Sequence, residues 1–119
     1  FHFYDGSGMS RKNLINSNLL LNLLWSYSPD GKNTESIVFK NSLGISGVSG
    51  TMKYFNSEAI KGKVIGKSGS ANGVLNYAGY FTDNNGVDYT FVFMINNYSG
   101  DRKALRRKMV KVLEGFIIL

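Results

Sequence analysis

The 119-residue chain is 43% hydrophobic and 13% aromatic, an apolar content that excludes a disordered segment and suffices for one domain with a buried core. The absence of cysteine excludes disulfides, thiolate metal sites and a cysteine nucleophile. The net charge is +6, and six of the 14 Lys and Arg residues fall within residues 102–111. This cluster is compatible with a nucleic-acid or membrane-surface contact, but its cations alternate with apolar residues at helical spacing, which favours a solvated helix face. No apolar run approaches the roughly 20 residues that cross a bilayer.

The first half of the sequence predicts helices. Ser10 is the predicted N-cap of a long helix that extends to about residue 27, and Pro29-Asp30-Gly31 ends it. A shorter helix is predicted to open at Thr34. One more helical turn is predicted to start at Gly50.

The second half changes to the periodicity of strands. Three strands are predicted at residues 63–71, 74–82 and 87–96, each rich in β-branched and aromatic residues. Asn72-Gly73 and the segment 83–86 are turn signals, so the strands are expected to form an antiparallel meander. The third strand is apolar on both faces and therefore needs cover on both sides.

A final helix is predicted after Ser99 or Asp101, running to about residue 115, with its apolar stripe opposite its cations. Helices on the two sides of the strands would supply the cover that the third strand needs. The predicted fold class is therefore α+β, with a three-strand antiparallel meander covered by helices.

The tetrapeptide Lys67-Ser68-Gly69-Ser70, on the first predicted strand, carries a chemical signal. A lysine ammonium and a neighbouring hydroxyl can together hold a carboxylate, and a glycine beside them leaves room for a substrate backbone. The amide of the following residue can then point at a developing oxyanion. Taken alone, the tetrapeptide is explained more simply by a strand followed by a turn. A phosphate-binding loop fits poorly, because Lys61 stands where its first glycine should be and a strand follows instead of a helix.

Two further segments precede the tetrapeptide. They are Asp5-Gly6-Ser7-Gly8-Met9-Ser10-Arg11-Lys12-Asn13 and Gly47-Val48-Ser49-Gly50-Thr51-Met52, the second lying in a Gly- and Ser-rich stretch whose simplest interpretation is a flexible connection. After the tetrapeptide come Gly73-Val74 and Ala78-Gly79-Tyr80. In this order the segments resemble the C-terminal part of the serine D-alanyl-D-alanine carboxypeptidase/endopeptidase family, the low-molecular-mass class C penicillin-binding proteins of the serine β-lactamase-like superfamily. That family carries Asp-Gly-Ser-Gly-Leu-Ser-Arg-x-Asn, Gly-x-x-Gly-Thr-Leu and Lys-Thr-Gly-Thr, so that Met9 and Met52 stand in place of its Leu residues and Ser68 and Ser70 in place of its Thr residues.

The resemblance implies that residues 1–119 are the C-terminal portion of a penicillin-binding domain with a transpeptidase-like fold. It makes Lys67 a catalytic residue that holds positive charge in the cleft. It makes Ser68, Gly69 and Ser70 substrate-binding residues, through a hydroxyl on the substrate carboxylate, room for its backbone, and an amide in the oxyanion hole. The nucleophile motif of the family, Ser-x-x-Lys, does not occur in the sequence. The family's Ser-x-Asn motif lies upstream of Asp-Gly-Ser-Gly, so the chain alone is expected to be an inactive piece of the enzyme.

The partners that the resemblance implies are peptidoglycan D-Ala-D-Ala peptides, β-lactam antibiotics and the missing N-terminal part of the same protein. The implied location is the periplasm or another extracytoplasmic part of the bacterial cell envelope. No cofactor, no metal and no nucleic acid is expected. Asp5, Ser7 and Arg11 are assigned to a loop that braces the cleft. The alternatives are a non-catalytic peptidoglycan-peptide binder and an anion- or nucleic-acid-binding domain that uses the helix at residues 102–111.

Overall fold

The structure, a computed structural model, describes residues 1–27 and 33–118. Its helices are α1 (Ser17–Ser26), α2 (Thr34–Asn41) and α3 (Arg102–Ile118), with a short 3₁₀ turn at Gly50–Met52. Its strands are β1 (Gly44–Ile45), β2 (Val64–Ala71), β3 (Val74–Thr82) and β4 (Asp88–Asn96). The predicted α+β class is confirmed, with helices before the main strands and one helix after them.

The described strands form one antiparallel sheet in the order β1-β2-β3-β4. Strands β2, β3 and β4 are the predicted meander, and the turns between them contain Gly73 and Gly86 with positive φ angles of 70° and 81°. Strand β1 is absent from the prediction because its two residues are too few to give a periodic signal. It pairs only with residues 65–66 of β2, so most of the outer edge of β2 has no strand beside it within residues 1–27 and 33–118.

The main core lies between the sheet and α3. Successive side chains of a strand point to opposite faces, so alternate residues of β2, β3 and β4 face α3. They join α3 and the segment after the 3₁₀ turn in one cluster of buried residues: Met52, Phe55, Ile60, Val64, Leu75, Tyr77, Phe81, Phe91, Met109, Val110, Leu113 and Ile117. Of the two residues predicted to cap α3, Ser99 and Asp101, the cap is Asp101. Its carboxylate accepts from the amides of Lys103 at 2.9 Å and Ala104 at 3.2 Å.

Helix α1 covers part of the other face of the sheet and contacts β4. The Tyr80 side chain on β3 points to this face, where its hydroxyl bonds the Leu24 carbonyl of α1. The Lys40 ammonium of α2 lies 5.1 Å from the centre of the same tyrosine ring. Strand β4 therefore has helical cover on both sides, as its two apolar faces require.

The first helix is shorter than predicted. It begins at Ser17 and its N-cap is Asn16, whose side chain accepts from the Leu19 amide at 2.8 Å. Ser10 is not a helix cap, because its hydroxyl accepts from the Lys12 amide at 3.2 Å in a local turn. Serine side chains that bond nearby backbone groups compete with helix formation in this way.

The structure agrees with the other helix predictions for the first half of the chain that fall on described residues. Helix α1 ends at Ser26 and α2 opens at Thr34, and the helical turn predicted at Gly50 is the 3₁₀ turn. The predicted helix stop at residues 29–31 lies outside the described residues. Within residues 1–27 and 33–118, no helix has both the length and the apolar content that crossing a bilayer requires.

Candidate functional site

Residues 67–70 lie on β2, at the edge of the sheet. Strand β1 pairs only with Ile65 and Gly66, so among the described residues no strand accompanies β2 on its outer side from Lys67 onward. On its inner side β2 pairs along its whole length with β3. An unpaired strand edge of this kind can accept an extended peptide as an added strand.

The backbone groups that β2 turns outward follow an alternation. The carbonyl of Val64 accepts from the Ser46 amide at 2.9 Å, and the Val64 amide donates to the Ser46 hydroxyl at 3.2 Å. Four residues further on, the Ser68 amide donates outward to the Thr51 hydroxyl at 3.0 Å. Because alternate residues of an antiparallel strand direct their N–H and C=O groups to the same side, those of Ser70 also face the open edge.

The side chains of Lys67 and Ser68 leave β2 on opposite faces of the sheet. Lys67 stands opposite Ala78 on the face that α1 covers, and Ser68 stands opposite Tyr77 on the face that α3 covers. The exposed Lys67 side chain bends back to the edge, where its ammonium donates to the Ser68 carbonyl oxygen at 2.8 Å. The positive charge of Lys67 therefore lies at the open edge.

The position of a side chain at Gly69 is free space. A Cβ placed on Gly69 would meet no atom of the described residues within 4 Å. The glycines that pair across β2 and β3 are different, because a Cβ on Gly66 would overlap the Ala78 carbonyl and a Cβ on Gly79 would overlap the Ile65 carbonyl. Packing within the protein thus requires glycine at positions 66 and 79 but not at position 69, where the space is open to another molecule.

The segment from residue 44 to residue 52 is an ordered turn, and not the flexible connection that is the simplest interpretation of its Gly- and Ser-rich sequence. Ser46 is fully buried, and its hydroxyl donates to the Ile60 carbonyl at 2.5 Å while accepting from the Val64 amide. A high content of Gly and Ser does not by itself imply mobility when a buried hydroxyl is fully hydrogen-bonded. The turn places Thr51 against Ser68, a contact for which the only signal in the sequence is that both residues belong to motifs of one family.

Residues 5–13 form a loop that closes around Asp5. One carboxylate oxygen accepts from the Ser7 hydroxyl at 2.9 Å and the Gly8 amide at 2.8 Å, and the other accepts from the Ser10 amide at 2.8 Å. The Ser7 hydrogen bond, with those from the backbone amides, holds the pKa of Asp5 below its usual range. Asn13 completes the closure, since its side-chain oxygen accepts from the Tyr4 amide at 2.8 Å.

This loop makes no hydrogen bond to residues 67–70 within the described part of the chain. Arg11 is exposed. The assignment of Asp5, Ser7 and Arg11 to the bracing of a cleft therefore stays a prediction.

The spacing Ser-x-Asn does occur once in the sequence, at Ser70-Ala71-Asn72. Ser70 ends the open stretch of β2 and Asn72 lies in the turn to β3. Both belong to the same strand end as Lys67, so they cannot form a second wall opposite it. Within the described residues, no group of three or more His, Asp or Glu side chains is arranged to hold a metal ion.

A family model for the D-Ala-D-Ala carboxypeptidase 3 (S13) family matches residues 1–115. The chain belongs to this family. Among its relatives is D-alanyl-D-alanine carboxypeptidase DacB of Haemophilus influenzae, to which it is 35% identical over 108 residues, covering 87% of this chain and 22% of DacB. The family resemblance of the three sequence motifs is thereby confirmed.

Solved structures of penicillin-binding protein 4 (dacB) from Haemophilus influenzae are similar to this S13 family chain. One, a complex with a novel β-lactam, matches with a TM-score of 0.83 at 31% identity, covering 97% of this chain and 28% of that one. A second structure of the same protein matches with a TM-score of 0.78 at 32% identity, covering 95% of this chain and 27% of that one. The chain thus spans about a quarter of the length of these relatives.

Proposed function

We propose that this chain is the C-terminal portion of a penicillin-binding, D-Ala-D-Ala peptidase domain. It contributes the Lys-Ser-Gly strand to a cleft that hydrolyses peptidoglycan peptides through an acyl-enzyme. The observation that carries this proposal is the outer edge of β2, beside which none of the strands in the described part of the chain lies from Lys67 onward and to which the Ser70 amide is turned. Membership of a D-Ala-D-Ala carboxypeptidase family supports the class of reaction.

Lys67 and Ser68 would hold the terminal carboxylate of the peptide. Their side chains leave the strand on opposite faces, so they can reach a carboxylate at the edge from its two sides. The Lys67 ammonium already lies at that edge on the Ser68 carbonyl. A charge-assisted hydrogen bond from it to a carboxylate would be stronger than this bond to a neutral carbonyl.

Gly69 and Ser70 would receive the reacting part of the substrate. The free space around Gly69 lets the peptide backbone approach β2 closely. The outward Ser70 amide would donate to the oxyanion that forms when the acyl carbonyl is attacked. The attacking serine, its lysine base and the second oxyanion donor would come from the remainder of the protein, so the chain alone would be inactive.

The proposal also implies where in the cell the enzyme acts and which inhibitors it binds. Its substrates are peptidoglycan D-Ala-D-Ala peptides, which lie outside the cytoplasm, so the protein is placed in the periplasm or elsewhere in the bacterial cell envelope. β-Lactams would acylate the same serine, a proposal supported by the β-lactam complex of the Haemophilus influenzae relative.

Acylation by a fluorescent penicillin tests the proposal in the full-length protein that contains this chain. The wild-type protein should be labelled, and Lys67→Ala should lower the acylation rate constant roughly 10- to 100-fold, the range of a hydrogen bond to a charged group. Lys63→Ala is the matched control. Lys63 precedes β2 on the same side, and its ammonium contacts the Asn84 side chain at 3.4 Å, away from the open edge. An unlabelled wild-type protein, or equal labelling of the two variants, would contradict the proposal.

A further inference from the structure

The Thr51 side chain forms a hydrogen bond with one of the outward amides of β2. Its hydroxyl oxygen accepts from the Ser68 amide at 3.0 Å, 17 positions along the chain, and Thr51 is itself exposed. The outward carbonyl of Ser68 accepts from the Lys67 ammonium. Side chains of this protein therefore occupy both outward backbone groups of Ser68. The next outward groups along the edge are those of Ser70.

The turn that carries Thr51 is fixed relative to the sheet. The Gly47 amide donates to the Met52 carbonyl at 3.2 Å, and the Ile45 amide donates to the Ser49 hydroxyl at 3.1 Å. Met52 is fully buried in the core. The Thr51 hydroxyl thus has a set position along the edge of β2, which an incoming peptide would meet as part of the preformed surface.

A peptide that pairs with β2 can shift along it only in steps of two residues, because a one-residue shift turns its backbone groups away from the strand. One such step is about 7 Å. It would bring the Ser68 amide, in place of the Ser70 amide, to the acyl carbonyl. With the Ser68 amide already bonded to Thr51, the shifted arrangement lacks its donor.

We infer that Thr51 is a positioning residue that sets the register of acyl-peptide substrates on β2, by leaving the Ser70 amide as the first free donor. This inference rests on the proposed function, since it concerns the same edge and the same substrates. The substrates affected are extended acyl peptides with a terminal carboxylate, long enough to pair with β2 beyond their last two residues.

The test compares Thr51→Val, which removes the acceptor at nearly constant volume, with Thr51→Ser, which keeps it, in the full-length protein. The substrates are a short acyl-D-Ala-D-Ala and a longer peptide with the same end. On the longer peptide, kcat and KM of Thr51→Val should both fall about three- to tenfold, since freeing one hydrogen-bond donor lets a shifted, unproductive arrangement compete. Unproductive binding lowers kcat and KM by the same factor, so the ratio kcat/KM should stay unchanged. Thr51→Ser should match the wild type on both peptides.

A purely structural contribution of Thr51 would lower kcat/KM on both peptides alike, and that result, or unchanged kinetics in Thr51→Val, overturns the inference. Thr51→Ala removes the same hydroxyl and has to show the same split, which guards against misfolding of the valine variant. Labelling of the wild-type protein by a penicillin is read separately. Its failure removes the proposed function together with the inference, whereas a failure of Thr51→Val to differ from Thr51→Ser in a labelled protein removes the inference alone.

Discussion

The Tyr80 hydroxyl donates a 2.6 Å hydrogen bond to the carbonyl of Leu24, a residue 56 positions earlier in the chain. Tyr80 is buried on β3, opposite Ile65, and its side chain points to the same face of the sheet as Lys67. This bond fixes the end of α1 on that face. The buried phenol thus adds a hydrogen bond to the packing of α1 against β4 on this face.

Replacing this phenol tests its contribution. Tyr80→Phe should lower the free energy of unfolding by about 1 kcal/mol, the usual net value of one hydrogen bond, because the Leu24 carbonyl keeps a second donor in the Tyr27 amide. Urea unfolding of the protein measures the change. Tyr54→Phe is the control, since the Tyr54 side chain is exposed and its hydroxyl makes no hydrogen bond within the described residues. Equal stabilities of the two variants would contradict the expectation.

Burial also makes stability depend on alkaline pH. Desolvation raises the pKa of Tyr77 and of Tyr80, and for Tyr77 the positive charge of Arg106 opposes part of this rise. A raised pKa in the folded state means that the contribution to stability is complete below the unfolded value of about 10 and is lost as pH rises above it. Unfolding midpoints between about pH 8 and pH 11 should therefore fall steeply near the upper end. The fall should be shallower in Tyr80→Phe; an identical slope would assign the loss to other groups.

Ser46 offers a sharper test of the turn beside the open edge. Ser46→Ala should cost about 1–3 kcal/mol, because the buried Val64 amide loses its acceptor, whereas the Ile60 carbonyl keeps a second donor in the Lys63 amide at 2.9 Å. Ser42→Ala is matched to it, since the Ser42 hydroxyl donates to the Phe39 carbonyl at an exposed position and its loss should change stability by less than about 0.5 kcal/mol. Chemical unfolding distinguishes the two. If Ser46→Ala proves as mild as Ser42→Ala, the turn is held by other contacts.

Two glycine substitutions separate folding from binding. Gly79→Ala should destabilise the protein by on the order of 1–3 kcal/mol, because its Cβ would overlap the Ile65 carbonyl across the sheet. Gly69→Ala should leave stability nearly unchanged, since its Cβ would lie in open space, yet it should slow penicillin acylation of the full-length protein by filling the approach to β2. Thermal unfolding of both variants measures the effect on stability, and penicillin labelling rates of both measure the effect on acylation. A destabilised Gly69→Ala or a normally acylated one would each contradict this division.

The parts of the fold that the sequence predicts are those set by interactions between residues close together in the chain. The strands β2, β3 and β4 were predictable because their apolar and aromatic periodicity and their Asn-Gly turns are local signals. The start of α1 was not predictable, because the Ser10 hydroxyl accepts from the nearby Lys12 amide and Asn16 is the residue that caps the helix. Serine and asparagine are both favoured at N-caps, so residue type alone does not decide between Ser10 and Asn16.

The tetrapeptide at the open edge shows the same limit. Its position on a strand followed from periodicity, and the outward direction of the Ser70 amide depends on pairing that no local pattern encodes. The pairing of β2 with β3 sets that direction, the bond between Ser68 and Thr51 shows which side of β2 is outward, and the early end of β1 leaves that side open. Thr51 and β1 both lie far from residues 67–70 in the sequence.

The loop around Asp5 should be sensitive to acid. The hydrogen bond from Ser7, with those from the Ser10 and Gly8 amides, lowers the pKa of Asp5, so its contribution is present above the unfolded value of about 4 and is lost as pH falls below it. Hydrogen exchange at the amides of Gly8 and Ser10 should accelerate in that range. Asp5→Asn, which lacks the charge, should show fast exchange already at neutral pH. Protection that does not change with pH in the wild-type protein would argue against this role.

The early end of β1 has a consequence for the behaviour of the chain in concentrated solution. Beyond the residues that β1, Thr51 and Lys67 bond, the outward amide and carbonyl of Ser70 remain at the edge of β2, and they are a template for an extended strand, including the same edge of a second copy. Two such edges can pair around a twofold axis when nothing else covers them. Lys67 places a like charge on each copy at this contact, so repulsion opposes self-association and added salt weakens the repulsion. The lysine proposed to attract a substrate carboxylate thus also serves to keep copies of this chain apart.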